Sequence, residues 1–233
     1  MQALIFDYGG TLDTDGRHWA HILWEGYCMA QVPITNDQFR DAYVYGERAL
    51  AKAPIVMQDD TFRDVLEKKV ALQFTYLKTE NTWMVASDVC EQKQQMVVDF
   101  CHDYALRHIA VAREVLATLH LKYRLVLVSN FYGNINAILR HYELAEYFDA
   151  VIESAVVGVR KPDPQIYRLG VEATGCEVKN VTVIGDSYSK DIIPATTIGC
   201  RTIWLRGQGW SGEETGNLAT HEVNTLREVL NYL

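Results

Sequence analysis

Four short segments carry residue types suited to phosphoryl chemistry. Asp7-Tyr8-Gly9-Gly10-Thr11 follows directly on the apolar run Ala3-Leu4-Ile5-Phe6. Ser129-Asn130 stands in the same relation to Leu125–Val128, and Gly185-Asp186 to Val181–Ile184, with Asp191 a little further on. Arg160-Lys161-Pro162 precedes a helix signal. Together they supply carboxylates, hydroxyls, an ammonium, and glycines that permit close backbone approach. A carboxylate can attack phosphorus and form a covalent intermediate. Asp7 and Asp186 offer the hard oxygen ligands that magnesium prefers, usually one or two carboxylates completed by phosphate and water. Lys161 and Ser129 can neutralise and hydrogen-bond the equatorial phosphate oxygens, which is the main demand of such a reaction.

These segments need elements to aim them. Continuous apolar runs at residues 3–6, 125–128, 150–152, 181–184 and 202–205 suit strands buried on both faces of a parallel sheet. Helical spacing lies between the later runs, at Val111, Val115, Leu116 and Leu119 and at Ile135, Ile138, Leu139 and Tyr142. Asp163-Pro164 reads as an N-cap with a first-turn proline, followed at helix spacing by Ile166, Tyr167, Gly170 and Val171. Val223, Leu226, Val229 and Leu230 predict a last helix. From residue 110 onward the pattern is that of a doubly wound α/β sheet, which places its ligands beyond the carboxyl ends of its strands. Residues 16–108 differ. They hold no strand signal but three helix-period segments, at Trp19–Ala30, Val65–Phe74 and Val85–Phe100, punctuated by Pro33 and Pro54. The expected architecture is an α/β core from residues 1–15 and 109–233, with a helical domain inserted at 16–108.

The order and context of the four segments resemble the haloacid dehalogenase superfamily. Its first motif is DxDxT, followed by a Ser or Thr after the second core strand, a Lys, and a GD with a further Asp. The resemblance spans residues 1–15 and about 110–233. It implies a Rossmann-like, five-stranded parallel sheet, with the helical insert as a cap domain. Asp7 then matches the nucleophile and a metal ligand, and Ser129 and Lys161 match catalytic, phosphate-binding residues. Thr11 and Asn130 join them in the phosphate subsite. The carbonyl of Gly9, with Asp186 and Asp191, completes the magnesium site.

One departure stands out. Where the motif has its second Asp, this chain has Gly9. In family phosphatases that Asp protonates the leaving group and then activates water, and losing a general acid/base typically costs ~10²–10⁴ in rate. Asp13, Asp15 and His18 follow closely enough to be considered as replacements. Asp13 also suits a turn, Asp191 also suits a helix N-cap before Pro194, and Trp19, Trp24 and Tyr27 suit packing. Three readings remain: a magnesium-dependent hydrolase of a small phosphorylated metabolite; carbon–halogen hydrolysis through an Asp7 ester, since a halide leaves without a proton; and a catalytically impaired binder of a phosphorylated ligand. A phosphonatase-type Schiff base would need one of the insert's lysines (Lys52, Lys68, Lys69, Lys78, Lys93), and nothing in the sequence singles one out.

Composition narrows the classes further. With Lys plus Arg at 22 and Asp plus Glu at 30, the net charge of −8 gives no basic stripe for nucleic acid. An acidic shell also repels anionic substrates, so a local site must overcome that field. The five cysteines form no CxxC pair, which fits free, buried thiols in a reducing compartment. The N-terminal apolar run is too short for a signal peptide, and no stretch is long enough to span a membrane. A cytoplasmic location is expected. Oligomeric state is not legible.

Overall fold

The apolar runs form strands because both of their faces are covered. In the computed structural model, residues 2–52, 54–80, 82–210 and 215–233 are described. Strands β1 (Ala3–Phe6), β2 (Arg124–Ser129), β3 (Ala150–Glu153), β4 (Val181–Gly185) and β5 (Arg201–Leu205) join a short β6 (His221–Val223) in one sheet. Its order is β3-β2-β1-β4-β5-β6, and every pairing is parallel. All of β1 and β4 is buried, as is all of β2 and β5 beyond the first residue. That explains their unbroken hydrophobicity. The sheet has six strands where five were expected. The additional strand, β6, pairs with β5 from Ile203 opposite His221 to Leu205 opposite Val223.

The order itself locates the site. After β1 the chain builds outward on one side through β2 and β3, and on the other through β4, β5 and β6. The switch point therefore lies at β1, flanked by the ends of β2 and β4, where an open α/β sheet leaves its ligand crevice. Phe6 is in register with Leu127 and with Ile184, so Asp7, the end of β2 and Gly185 emerge side by side.

The molecule divides into two compact units, Met1–His18 with Leu106–Leu233, and Trp19–Ala105. In the first unit, Ile5, Val126, Val128 and Val183 pack with Ile166 and Tyr167 of α7 (Pro164–Thr174). Asp163 caps α7 by accepting from the Gln165 N–H at 2.9 Å, with Pro164 next in line, as the sequence predicts. Gly170 lets α7 lie close on the sheet: a methyl there would come within 2.8 Å of Val128 and 3.0 Å of Ile5. The first unit also contains α5 (Ile135–His141), α6 (Ser154–Val157) and α8 (Ile193–Thr197).

The second unit is helical: α1 (Trp19–Met29), α2 (Asn36–Lys52), α3 (Phe62–Thr79) and the first part of α4 (Ser87–His120). Its core is aromatic. Tyr27 packs against Phe39 at 5.1 Å and Phe74 at 5.3 Å, while Trp24 meets Phe39 and Trp19 meets Phe62. The aromatic residues of α1 are thus packing residues. A capping box starts α3: the Thr61 hydroxyl accepts from Asp64 N–H, and the Asp64 carboxylate accepts from Thr61 N–H at 2.7 Å.

Three expectations are corrected. The stripes at residues 85–100 and 111–119 belong to one helix, α4. The predicted C-terminal helix is instead strand β6 followed by a 3₁₀ segment at Leu226–Asn231. Leu226 and Val229 are both buried there, and their spacing of three suits three residues per turn. Of the cysteines, Cys90, Cys101 and Cys200 are buried, but Cys28 is exposed and Cys176 half-buried. Among the described residues, no helix is long and apolar enough to cross a membrane.

Candidate active site

The four loops converge at the switch point. Asp7 leaves β1 with its carboxylate 6% exposed, and one oxygen lies 2.5 Å from the Lys161 ammonium. The same ammonium is 2.8 Å from Asp191, and Lys161 is 4% exposed. The Thr11 hydroxyl sits 3.1 Å from the other Asp7 oxygen and 3.1 Å from Asp186 Oδ1, and accepts the Asp186 N–H at 3.1 Å. A hydroxyl has one proton, so it donates to one of the two carboxylates at a time. Ligand oxygens of Asp7, Asp186 and Asp191 all lie within 4.8 Å of one another. Two glycines make this crowding possible. Gly10 has φ +99°, and any side chain there would collide with the Asp186 carboxylate; a Cβ at Gly185 would stand 2.5 Å from Asp191 Cβ.

The electrostatics follow from charge count. Three carboxylates face one ammonium, so with all of them ionised the cluster would carry two excess negative charges. Burial pushes the Asp7 carboxyl up, and Lys161 offsets this only in part. Asp186 is pushed well above the usual carboxylate range by burial and by Asp7 and Asp191. Burial alone would lower the Lys161 amine; Asp191 and Asp7 outweigh it and hold the ammonium charged. A divalent cation would cancel the residual charge. The donor set is all oxygen, as magnesium requires, and half-buried Asp186 opens it to solvent. The residues present therefore fit such an ion.

Asp191 does not cap a helix. Its carboxylate turns back, taking the Tyr167 hydroxyl at 2.7 Å beside Lys161, and the Ser187 N–H at 3.0 Å. With three donors it anchors Lys161. Its loop runs through a π-helical turn at Tyr188–Ile192, a geometry frequent at functional sites. Asn130 is engaged with the loop that bears Lys161. Its side chain donates to the Lys161 carbonyl at 3.1 Å and accepts the Lys161 N–H at 2.9 Å, fixing that loop by both backbone groups. Ser129 ends β2, 1% exposed, and its hydroxyl has no hydrogen-bond partner among the described residues.

Gly9 lies in open space: a Cβ there would meet nothing within 4 Å. The nearby acids are engaged in the scaffold. Asp13 is fully buried and accepts the Gly10 N–H at 2.7 Å. Asp15, at φ 54°, accepts the Leu226 N–H at 2.6 Å. The His18 ring packs on Trp210 at 5.3 Å.

Two contributors escape sequence reading. Tyr167 reads as one apolar position on the α7 stripe, yet its hydroxyl tip reaches Asp191. Trp204, inside β5, donates its indole N–H to the Asp186 carbonyl at 2.8 Å. In both the apolar body gives the core signal and only the polar tip serves the site.

A family model described as haloacid dehalogenase-like hydrolase matches residues 1–199. With the parallel sheet and the acid–lysine cluster at its switch point, this shows that the chain belongs to the haloacid dehalogenase-like hydrolases, a family of enzymes. Among curated relatives, a glyceraldehyde 3-phosphate phosphatase of Pyrococcus abyssi is 34% identical over 43% of this chain and 43% of its own length. A phosphoserine phosphatase of Thermus thermophilus is 34% identical over 37% of this chain and 34% of its own length. The chain thus matches less than half of either relative. Among solved structures, the HAD-hydrolase YfnB of Bacillus subtilis, determined bound to magnesium, aligns over 100% of this chain and 98% of its own with a TM-score of 0.59 at 18% identity, a likeness of fold.

Proposed function

We propose that this protein is a magnesium-dependent hydrolase of a small phosphorylated molecule, acting through an aspartyl-phosphate on Asp7. The observation that carries the reading is the Lys161 ammonium gripped between Asp7 and Asp191 beside Asp186, at the switch point. Both named relatives are phosphatases, which supports phosphorus as the centre attacked. Asp7 supplies the attacking oxygen. Lys161 favours the ionised form of that carboxylate against its burial and faces the transferring group with positive charge. The Ser129 hydroxyl donates to a phosphate oxygen. Asp191 and Tyr167 hold Lys161 in place, and Asn130 holds its loop. Magnesium, seated by Asp7, Asp186 and the Gly9 carbonyl with Asp191 in support, would supply charge neutralisation at the phosphoryl oxygens. The helical unit is read as the cap that selects the substrate.

A phosphometabolite panel with and without magnesium tests this, together with Asp7→Asn. The expected result is magnesium-dependent phosphate release that Asp7→Asn abolishes; full activity in Asp7→Asn rejects the mechanism.

The open position at Gly9 favours a second reading, carbon–halogen hydrolysis through an Asp7 ester. Halide release that persists in EDTA is its signature. A phosphonatase-type Schiff base is less favoured. Lys93 is bound to the carbonyls of Ala30 at 2.6 Å and Gln31 at 2.9 Å, Lys69 pairs with Glu47 at 2.6 Å, and Lys68 pairs with Asp60.

A further inference from the structure

A phosphate monoester of an alcohol parts with a strongly basic alkoxide, and enzymes ease that step by handing the leaving oxygen a proton. The first loop of this chain holds no group placed to do so. Gly9 presents no side chain, and the space around its Cβ position is open to 4 Å. Asp13 is turned inward to the Gly10 N–H, and Asp15 is spent on the Leu226 N–H. The His18 ring lies against Trp210, and its backbone N–H donates to Gln208 at 2.8 Å. Lys161 carries protons, but giving one up would leave Asp7 and Asp191 buried as unpaired anions. The Tyr167 hydroxyl already donates to Asp191.

We infer that the site is selective for phosphoryl groups carried on acidic leaving groups, namely acyl phosphates and enol or aryl phosphates, whose leaving oxygen departs as a stable anion. This deepens the phosphoryl reading above and rests on it. An Asp7 carboxylate oxygen forms the new O–P bond. The bond from phosphorus to the leaving oxygen breaks, and its electron pair stays on that oxygen, with no proton required. Water then attacks the phosphorus of the aspartyl-phosphate. The P–O bond to Asp7 breaks, Asp7 regains its carboxylate, and the water's proton is lost to solvent. The names of the two matched relatives describe phosphates of alcohols, so this selectivity separates the chain from them.

The test is kcat/KM in magnesium for acetyl phosphate and for 2,4-dinitrophenyl, 4-nitrophenyl, phenyl and glycerol phosphates. In the wild type, turnover should fall steadily as the leaving group becomes more basic, by at least about a hundredfold across the set, the scale of a missing general acid. Gly9→Asp, whose Cβ would meet nothing within 4 Å, should flatten that dependence by raising the slow substrates; Gly9→Asn, equal in size but unable to donate an acidic proton, should keep it steep. If Gly9→Asp does not fold, the wild-type dependence decides. A flat wild-type series overturns the inference and leaves the phosphoryl reading standing, because an acid then acts from elsewhere. Turnover of none of the five, acetyl phosphate included, removes both.

Discussion

Asn130 grips Lys161 by its backbone, one amide group serving both the N–H and the C=O of the same residue. The lysine side chain then runs to Asp7 and Asp191. The loop that leaves β2 and the loop between α6 and α7 are locked together here without using the ammonium itself. Asn130→Ala removes both hydrogen bonds and unpairs half-buried backbone groups, at a cost of about 1–3 kcal/mol. We expect kcat to drop by roughly tenfold or more from the misplaced ammonium, since positioning errors of this kind are expensive. Asn130→Asp retains the acceptor but loses the donor, and should fall between. Steady-state kinetics of the two variants against wild type decide; an unaltered kcat in Asn130→Ala would remove the positioning role.

Asp7 and Lys161, paired at 2.5 Å, should have opposite effects on stability when replaced. The site holds more negative than positive charge, so Asp7→Asn removes a buried carboxylate from two like neighbours while Lys161 keeps Asp191. Without magnesium, Asp7→Asn should melt no lower than wild type, and turnover should vanish. Lys161→Ala leaves Asp7 and Asp191 without their cation and should lose about 3–5 kcal/mol. Denaturant titrations of the two variants give the order directly. Equal destabilisation would contradict the charge balance drawn above.

Magnesium and protons should compete at Asp186. Its carboxyl is held well above the usual range by burial and by Asp7 and Asp191. For an acid raised in the fold, the folded chain binds the proton more tightly than the unfolded one. Stability is then higher below the raised value and falls as pH rises through it. The metal-free protein should therefore gain from mild acid, while magnesium, which needs the ionised carboxylates, should stabilise most at about pH 8 and least near pH 5. At a hundred times its Kd the ion contributes about 2.7 kcal/mol, or roughly 5–10 °C in Tm for a chain of this size. Thermal melts at both pH values, with magnesium and with EDTA, measure it; a magnesium gain independent of pH would count against carboxylate ligation.

The strands and the placement of the site were legible because both rest on local rules. A strand covered on two faces must be apolar throughout, and the ligand loops of such a sheet follow the strand ends. Ala3–Phe6 with Asp7, and Val181–Ile184 with Gly185-Asp186, show this at its plainest. What escaped was non-local or mixed in character. Helix α2 buries Phe39, Ala42, Tyr43, Gly46 and Leu50 at helical spacing, but its many charges dilute the stripe. Strand β6 has three residues, of which only Val223 is buried. Leu226 and Val229 satisfy both an α and a 3₁₀ repeat. The hydrogen-bond partners of the Asp191 carboxylate come from α7 and from the loop bearing Lys161, which no local pattern connects.

The helical unit holds a buried polar pair whose value lies in its completeness. The Tyr27 hydroxyl donates to Gln73 Oε1 at 2.9 Å, both side chains are wholly buried, and the Gln73 Nε2 has no hydrogen-bond partner among the described residues. Gln73→Leu alone strands the Tyr27 hydroxyl. Tyr27→Phe alone strands the whole Gln73 amide. Each should lose about 1–3 kcal/mol, because a buried polar group without a partner forfeits its hydration. The double variant leaves nothing stranded and retires an amide nitrogen that was unsatisfied from the start. It should return to within about 1 kcal/mol of wild type, with a coupling on the scale seen for residues in direct contact. Urea denaturation of the four proteins closes the cycle. Additive losses in the double variant would mean that the pair is not the unit of stability its geometry describes.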